Sequence, residues 1–235
     1  MGTEFDLYNA ETAAIRCFWE TRKHQLVNSL DNSNRGSVTG GKQMDGFLDL
    51  LTVACESIGV PVNNIYRRQN YVPGFFRSSK DWDFMVVSPR GRLLVLVELK
   101  SQIGSYGNNF NNRTEEAIGS ATDFWTAYRE QQFPTCGTPW MGYLMLIGRD
   151  RQSLKPVHNY STHYPVLPEF ESASYMDRYR ILCAKLMTER LYTQTCLLWT
   201  EDCNSFGNVS EESSIERFIS SLQGYLIGCR HEFDS

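Results

Sequence analysis

Asp83, Glu98 and Lys100 have the types and spacing that could do chemistry: an acid, 14 intervening residues, a glutamate, one residue, a lysine. Two carboxylates held close together repel, and burial penalises both, so the arrangement is costly unless a cation or a proton lies between them. Magnesium suits such a donor set. It prefers oxygen and keeps several waters, so Asp83 and Glu98, with the Leu99 carbonyl as a further ligand, suffice while substrate oxygens complete the shell. Lys100, two residues beyond Glu98, points into the same place. Its ammonium can hold an attacking water and stabilise charge on a phosphoryl group, or share in deprotonating that water. The competing account is a strand end with an ordinary ion pair. Context favours chemistry, because Glu98 directly follows the apolar run from Leu93 to Val97 and Leu99 continues it, which reads as a central strand.

The element that must position these groups is the stretch from Lys80 to Gln102, KDWDFMVVSPRGRLLVLVELKSQ. Alternation through Val87, turn chemistry in SPRG and an apolar return predict a β-hairpin with a buried second strand. A tight turn centred on Pro89 and Arg90 sets Val87 opposite Arg92, Asp83 opposite Leu96 and Asp81 opposite Glu98. Asp83, Glu98 and Lys100 then share one face, with the two acids diagonal neighbours roughly 7 to 8 Å apart at the backbone. Asp81 lies on that face too and replaces Asp83 if the register slips. Asp83 is preferred because it sits deeper in the apolar strand.

After Lys100 comes a glycine- and asparagine-rich segment. Gly104, Gly107, Asn108, Asn109, Asn111 and Asn112 predict an irregular loop, and Asn112 with Glu115 a capping box opening a helix with Ala117, Ile118, Ala121, Phe124, Trp125 and Tyr128 buried. A loop running from the active-site strand into a helix N-terminus is well placed for phosphate. Glu115 and Glu116 oppose that, as a cap or as metal ligands. The asparagines alone could simply satisfy a glycine-rich turn; it is a resemblance to DNA nucleases, carried by this segment and the hairpin, that makes Asn108, Asn109, Asn111, Asn112 and Arg113 candidate DNA contacts, asparagine pairing with adenine and arginine with guanine.

The hairpin with Asp83, Glu98 and Lys100 resembles the metal core of the PD-(D/E)XK nuclease superfamily. GNNFNNRTEEAIGSATDFWTAYRE resembles the corresponding stretch of the Xho-type type II restriction endonucleases, and the similarity extends to GGKQMDGFLDLL and HYPVLPEFESASYMDRYRILC. One departure is Trp82, which stands where the idealised core has proline. The resemblance implies a magnesium-dependent homodimer cutting palindromic double-stranded DNA, with CTCGAG or a longer site containing it as the target and 5′ overhangs as the product. It also implies a cognate DNA methyltransferase in the same prokaryotic system, without a stable complex. A repair or recombination nuclease with the same metal core, and a DNA-binding protein without catalysis, are the alternatives.

Bulk properties agree without deciding. At 235 residues and 41% apolar content the chain can bury one sizeable core. No apolar stretch is long enough for a membrane span. The 7 cysteines, none in a CxxC pair, suggest reduced thiols and a cytoplasmic protein, and the 4 histidines are too dispersed for a zinc cluster. A net charge of −4 argues against nucleic acid unless positive charge gathers locally. It does so at Arg67 and Arg68, at Arg77 and Lys80, and at Arg90 and Arg92. Arg67, Arg68 and Lys80 are therefore candidate phosphate or base contacts, although Arg67 or Arg68 could equally pack on Tyr66.

Elsewhere, patterning predicts a helix from Asp6 to about Asn28 and a polar loop over residues 28–41 that either covers DNA or is simply mobile. A second helix runs from Lys42 to about Ser57, with Asp45 and Asp49 one turn apart opposite its apolar stripe, as active-site acids or as a solvated face. A strand over Met141 to Ile147, a long connector from Pro156 to Pro168, a helix from about Ser172 to Tyr192, a short strand over Cys196 to Thr200 and a helix from Ser214 to Ile227 follow. Without repeats or a distinct linker this is one α/β restriction-endonuclease-like domain over residues 1–235, a mixed central sheet flanked by helices with the nuclease core near 42–150.

Overall fold

The structure, a computed structural model, describes residues 5–30, 40–133 and 137–233; most of the polar segment expected as a loop over 28–41 lies outside them. Six strands form one mixed sheet in chain order: β1 (Ile65–Val72), β2 (Lys80–Val87), β3 (Leu93–Gln102), β4 (Trp140–Gly148), β5 (Gln194–Thr200) and β6 (Phe206–Asn208). The β1, β2 and β3 strands pair antiparallel, β3, β4 and β5 parallel, and β6 closes antiparallel on β5. This is the mixed sheet flanked by helices that the apolar runs implied. The central strands are buried on both faces, which is why LLVLVEL and WMGYLMLIG read as continuous rather than alternating apolar runs.

Helices cover both faces. On one side α1 (Leu7–Leu30), α2 (Asp45–Ser57) and α6 (Ile215–Gly228) pack Phe18, Phe47, Leu51, Phe218 and Leu222 against Val95, Val97 and Leu144. On the other, α3 (Tyr106–Arg129) and α5 (Tyr175–Thr188) pack Phe110, Phe124, Tyr179 and Leu186 against Leu96, Tyr143 and Met145. A parallel pair needs a crossover, and α3 supplies it between β3 and β4 while the one-turn α4 (Arg151–Leu154), the connector and α5 supply it between β4 and β5.

The hairpin register differs from expectation by two residues. Ser88 to Gly91 forms the turn, with the Gly91 N–H donating to the Ser88 carbonyl at 2.9 Å, but Gly91 adopts φ +76° and Ser88 pairs with Arg92, its N–H donating to the Arg92 carbonyl at 2.8 Å. That left-handed glycine adds one residue to the return strand. A second irregularity sets Val87 opposite Leu93 but Val86 opposite Val95, so Leu94 is the extra residue of a bulge. Two one-residue shifts restore the original parity. The Phe84–Val97 pairing, continued by one residue, places Asp83 opposite Glu98, closer than the diagonal arrangement expected.

The helix after β3 starts earlier than expected. Its N-cap is Ser105 at φ 50°, and Asn108, Asn109, Asn111 and Asn112 lie within its first two turns rather than in a loop; no capping box forms at Asn112. Tyr106 and Phe110, one turn apart and both buried, outweigh the poor helix propensity of the asparagines. The Tyr106 hydroxyl lies 3.0 Å from the Gly148 carbonyl and 2.8 Å from Asp150 Oδ2, and its ring stacks on Tyr175. The next helix also differs, beginning at Tyr175 behind a Ser174–Asp177 capping box, rather than near Ser172.

Candidate active site

Glu98 is 3% exposed, at the end of the apolar run of β3. Burial alone resists its ionisation. Two ammonium groups outweigh that: Lys100 from the same strand face bonds Glu98 Oε1, Lys80 from the start of β2 bonds Oε2, and together they hold the carboxyl below its ordinary range. Burial would likewise discharge Lys100, but Glu98 and then Asp83 reverse this and raise its proton affinity. Asp83 Oδ2 accepts the Leu99 N–H at 2.7 Å. Burial first, and the facing Glu98 charge second, push Asp83 up to about 6, against the pull of Lys100, the Leu99 N–H and Lys80. The structure thus brings Asp83, Glu98, Lys100 and the Leu99 backbone together, and it adds Lys80.

Lys80 stands elsewhere than on the phosphate-facing surface expected for it. Its ammonium is held by Glu98 and by the Asp81 carbonyl at 3.0 Å, and it lies 4.6 Å from the centre of the Trp82 ring. Trp82, in place of proline, therefore stacks with a site lysine. Asp81 turns away: its carboxylate accepts the Asn70 N–H at 2.7 Å, in the β1 bulge where Arg68 and Gln69 adopt φ 64° and 53°. Asp45 and Asp49 of α2 engage the β1 arginines, Asp49 with Arg67 at 2.7 Å and Asp45 with Arg68. Asp49 is exposed and Asp45 half-buried, so the solvated helix face is the reading that fits, with the β1 arginines as its partners; these pairs do not bring either acid to Glu98.

Asn108, Asn111 and Asn112 are exposed on the first turns of α3, while Asn109 donates back to the Ser105 carbonyl at 2.9 Å. Arg113 is half-buried and pairs with Glu116 at 2.7 Å. Glu115 is exposed. Tyr143, which pairs with Glu98 across β3 and β4, and Tyr192, whose ring centre is 5.4 Å from it, form a fully buried wall beside the glutamate. Sequence reasoning missed that wall, and also Lys80 as a partner of Glu98; the odd spacing from Lys80 to Asp83 assigns Lys80 to the opposite strand face, and only its place at the very start of β2 lets its long side chain reach Glu98.

The donor set fits a hard divalent ion. Two facing carboxylates, one reluctant to ionise first because it is buried and then because the other is beside it, are what a cation between them would relieve. Among the described residues no group of three or more acid, histidine or cysteine side chains gathers to hold a metal, so an ion held by Asp83 and Glu98 would need backbone, water and substrate oxygens for the rest of its shell. No helix among the described residues is long and apolar enough to cross a membrane.

The family model for the restriction endonuclease XhoI matches residues 23–211, spanning the hairpin, α3 and the sheet through β6. The chain belongs to the XhoI restriction-endonuclease family. With it comes membership in the PD-(D/E)XK superfamily, whose mixed sheet between helices is the fold described above. Relatives of the XhoI-family chain include the type II restriction enzyme BstVI of Geobacillus stearothermophilus, 47% identical over 195 residues, or 80% of this chain and 87% of that one. The type II restriction enzyme XhoI of Xanthomonas vasicola is 41% identical over 72% of this chain and 71% of its own, and AbrI of Azospirillum brasilense 44% identical over 64% and 71%. No solved structure matches.

Proposed function

We propose that the chain is a magnesium-dependent type II restriction endonuclease that cuts palindromic double-stranded DNA as a homodimer, with CTCGAG, or a longer site containing it, as the first target to test and 5′ overhangs as the product. The observation that carries the reading is the buried pairing of Asp83 with Glu98, with Lys100 on the glutamate, in a chain whose relatives bear the name of type II restriction enzymes. Asp83, Glu98 and the Leu99 carbonyl hold the ion. When bound, magnesium polarises the phosphoryl oxygen and makes water a stronger acid. Lys100 orients the attacking water and meets the charge that builds on the phosphoryl group.

Arg67 and Arg68 take DNA phosphates by exchanging partners. Their pairs with Asp49 and Asp45 lie at the surface, where an ion pair contributes about 0 to 1 kcal/mol and is easily given up. Asn108, Asn111 and Asn112 present amides from one helix face to base edges or phosphates, with Asn109 and Arg113 beside them. Lys80 positions Glu98 and does not meet phosphate in the metal-free protein. One core cuts one strand, so a double-strand break in one binding event calls for two oppositely oriented copies, matching the two-fold symmetry of a palindrome. A cognate DNA methyltransferase protects the same sequence in the host.

Digesting random-sequence duplex with magnesium, sequencing both strands at the ends and measuring the protein-to-duplex ratio tests this directly. One palindrome cut symmetrically by two chains is the expected result. Cutting at branched or asymmetric sites by a monomer moves the protein to the repair nucleases. Asp83→Ala, Glu98→Ala and Lys100→Ala each greatly slow cleavage while calcium-supported binding persists; near-wild-type cleavage by Glu98→Ala sinks the metal site. Asp81→Ala has a smaller effect.

A further inference from the structure

The tip joining β1 to β2, residues 73–79, reads PGFFRSS, and it holds two aromatic rings in water. Phe75 and Phe76 are 52% and 70% exposed, and their rings meet edge to face at 5.0 Å. The tip is built to hold them there. Asp123 of α3, itself 3% exposed, accepts the N–H groups of Phe75 at 2.8 Å and Phe76 at 2.6 Å, and the Nε of Arg77 at 3.0 Å. Gly74 lies so close that a Cβ on it would stand 2.2 Å from Asp123 Oδ2. A buried carboxylate thus organises an exposed apolar pair.

The tip leads straight into the candidate active site. Phe76 is four residues from Lys80, whose ammonium is bonded to Glu98, and four residues of chain span at most about 14 Å. At about 3.4 Å per nucleotide along a duplex strand, that is roughly four base steps. Charge also points to DNA. Residues 73–80 contain no acid, and Arg77, whose Nε is bonded to the buried Asp123, keeps about half of its side chain in water beside the rings.

We propose that Phe75 and Phe76 form a base-stacking wedge, entering a bound duplex near the scissile phosphate and opening one base step. The proposal rests on the nuclease reading above. Apolar side chains inserted between base pairs are an established way to kink DNA, and every base has a face on which a ring can stack. Opening a step is cheapest at flexible pyrimidine–purine steps, so the wedge adds sequence preference where no hydrogen bond reads a base.

The test uses duplexes carrying the site found by random-library digestion, with 2-aminopurine at successive positions, bound in calcium. Wild-type protein should brighten the probe at one step. The double variant Phe75→Ala/Phe76→Ala should keep its Tm, because both rings are exposed, yet lose the signal and roughly tenfold or more in duplex affinity. Phe76→Trp should keep both. Asp123→Asn should weaken the signal with both rings present, which assigns it to positioning. Undiminished signal and affinity in the double alanine variant overturns the wedge. Loss of self-association by sedimentation with unchanged base unstacking also overturns it, and gives the rings to an interface between copies. Wild-type protein that neither cuts nor binds any duplex instead overturns the nuclease reading on which the wedge rests.

Discussion

Replacing Asp83 with asparagine should make the metal-free protein more stable while ending its activity. Asp83 is raised from 3.8 to about 6, chiefly by burial and then by Glu98. A carboxyl whose folded pKa lies above its unfolded value penalises the fold once both states are ionised. The cost is absent below the unfolded value, grows as pH rises through 4 to 6 and is full above that. Two units correspond to about 3 kcal/mol. Asparagine keeps an oxygen for the Leu99 N–H and carries no charge, so at pH 8 in EDTA the variant should gain up to about 3 kcal/mol, or roughly 6 to 12 °C in Tm for a chain of this size. The advantage should shrink to about half by pH 5 and mostly vanish by pH 4. Urea unfolding of both proteins across that range measures it. Magnesium should narrow the gap at pH 8 by stabilising the parent alone. A variant no more stable than its parent at pH 8, or a gain independent of pH, refutes the account of Asp83 as a strained acid.

Glu11, buried in α1 and raised from 4.5 to about 7 by burial and then by Glu216, follows the same sign: Glu11→Gln should stabilise the protein at pH 8 by up to about 3 kcal/mol and lose that advantage toward pH 4, as thermal unfolding at both ends will show. Gly142→Ala should destabilise by at least about 1 to 3 kcal/mol, since its methyl would lie 2.5 Å from the Trp140 ring and 2.6 Å from Phe218; a urea midpoint unchanged from wild type rules this out. Tyr106→Phe should cost roughly 0.5 to 1.5 kcal/mol by releasing the hydroxyl that ties the start of α3 to Gly148 and Asp150, measured by the same unfolding.

The hairpin and its shared face were legible because a strand's period of two survives any even error in register. Its register was not, since a four-residue SPRG turn gives no sign that Gly91 will turn left-handed or that Leu94 will bulge. The start of α3 was hidden by asparagines that favour turns in isolation, although Tyr106, Phe110, Ala117, Ala121 and Phe124 carry the helical spacing once the first two are included. β6 has three residues, too few for any pattern. Contacts distant in sequence, such as Arg67 with Asp49, or the tip with Asp123 some 46 to 48 residues away, have no local signature at all.

Lys80 and Lys100, seated on the two oxygens of Glu98, settle the electrostatics of the candidate site in the absence of metal. Two carboxylates alone would present a duplex with a patch of its own sign, and every encounter without metal would be repelled. With two ammonium groups in place the charges of Asp83, Glu98, Lys80 and Lys100 sum to zero, so a duplex meeting the candidate site without metal would meet no net charge there. A cation taken up between Asp83 and Glu98 would add positive charge to a site that starts neutral, and would compete with the two lysines for the oxygens of Glu98.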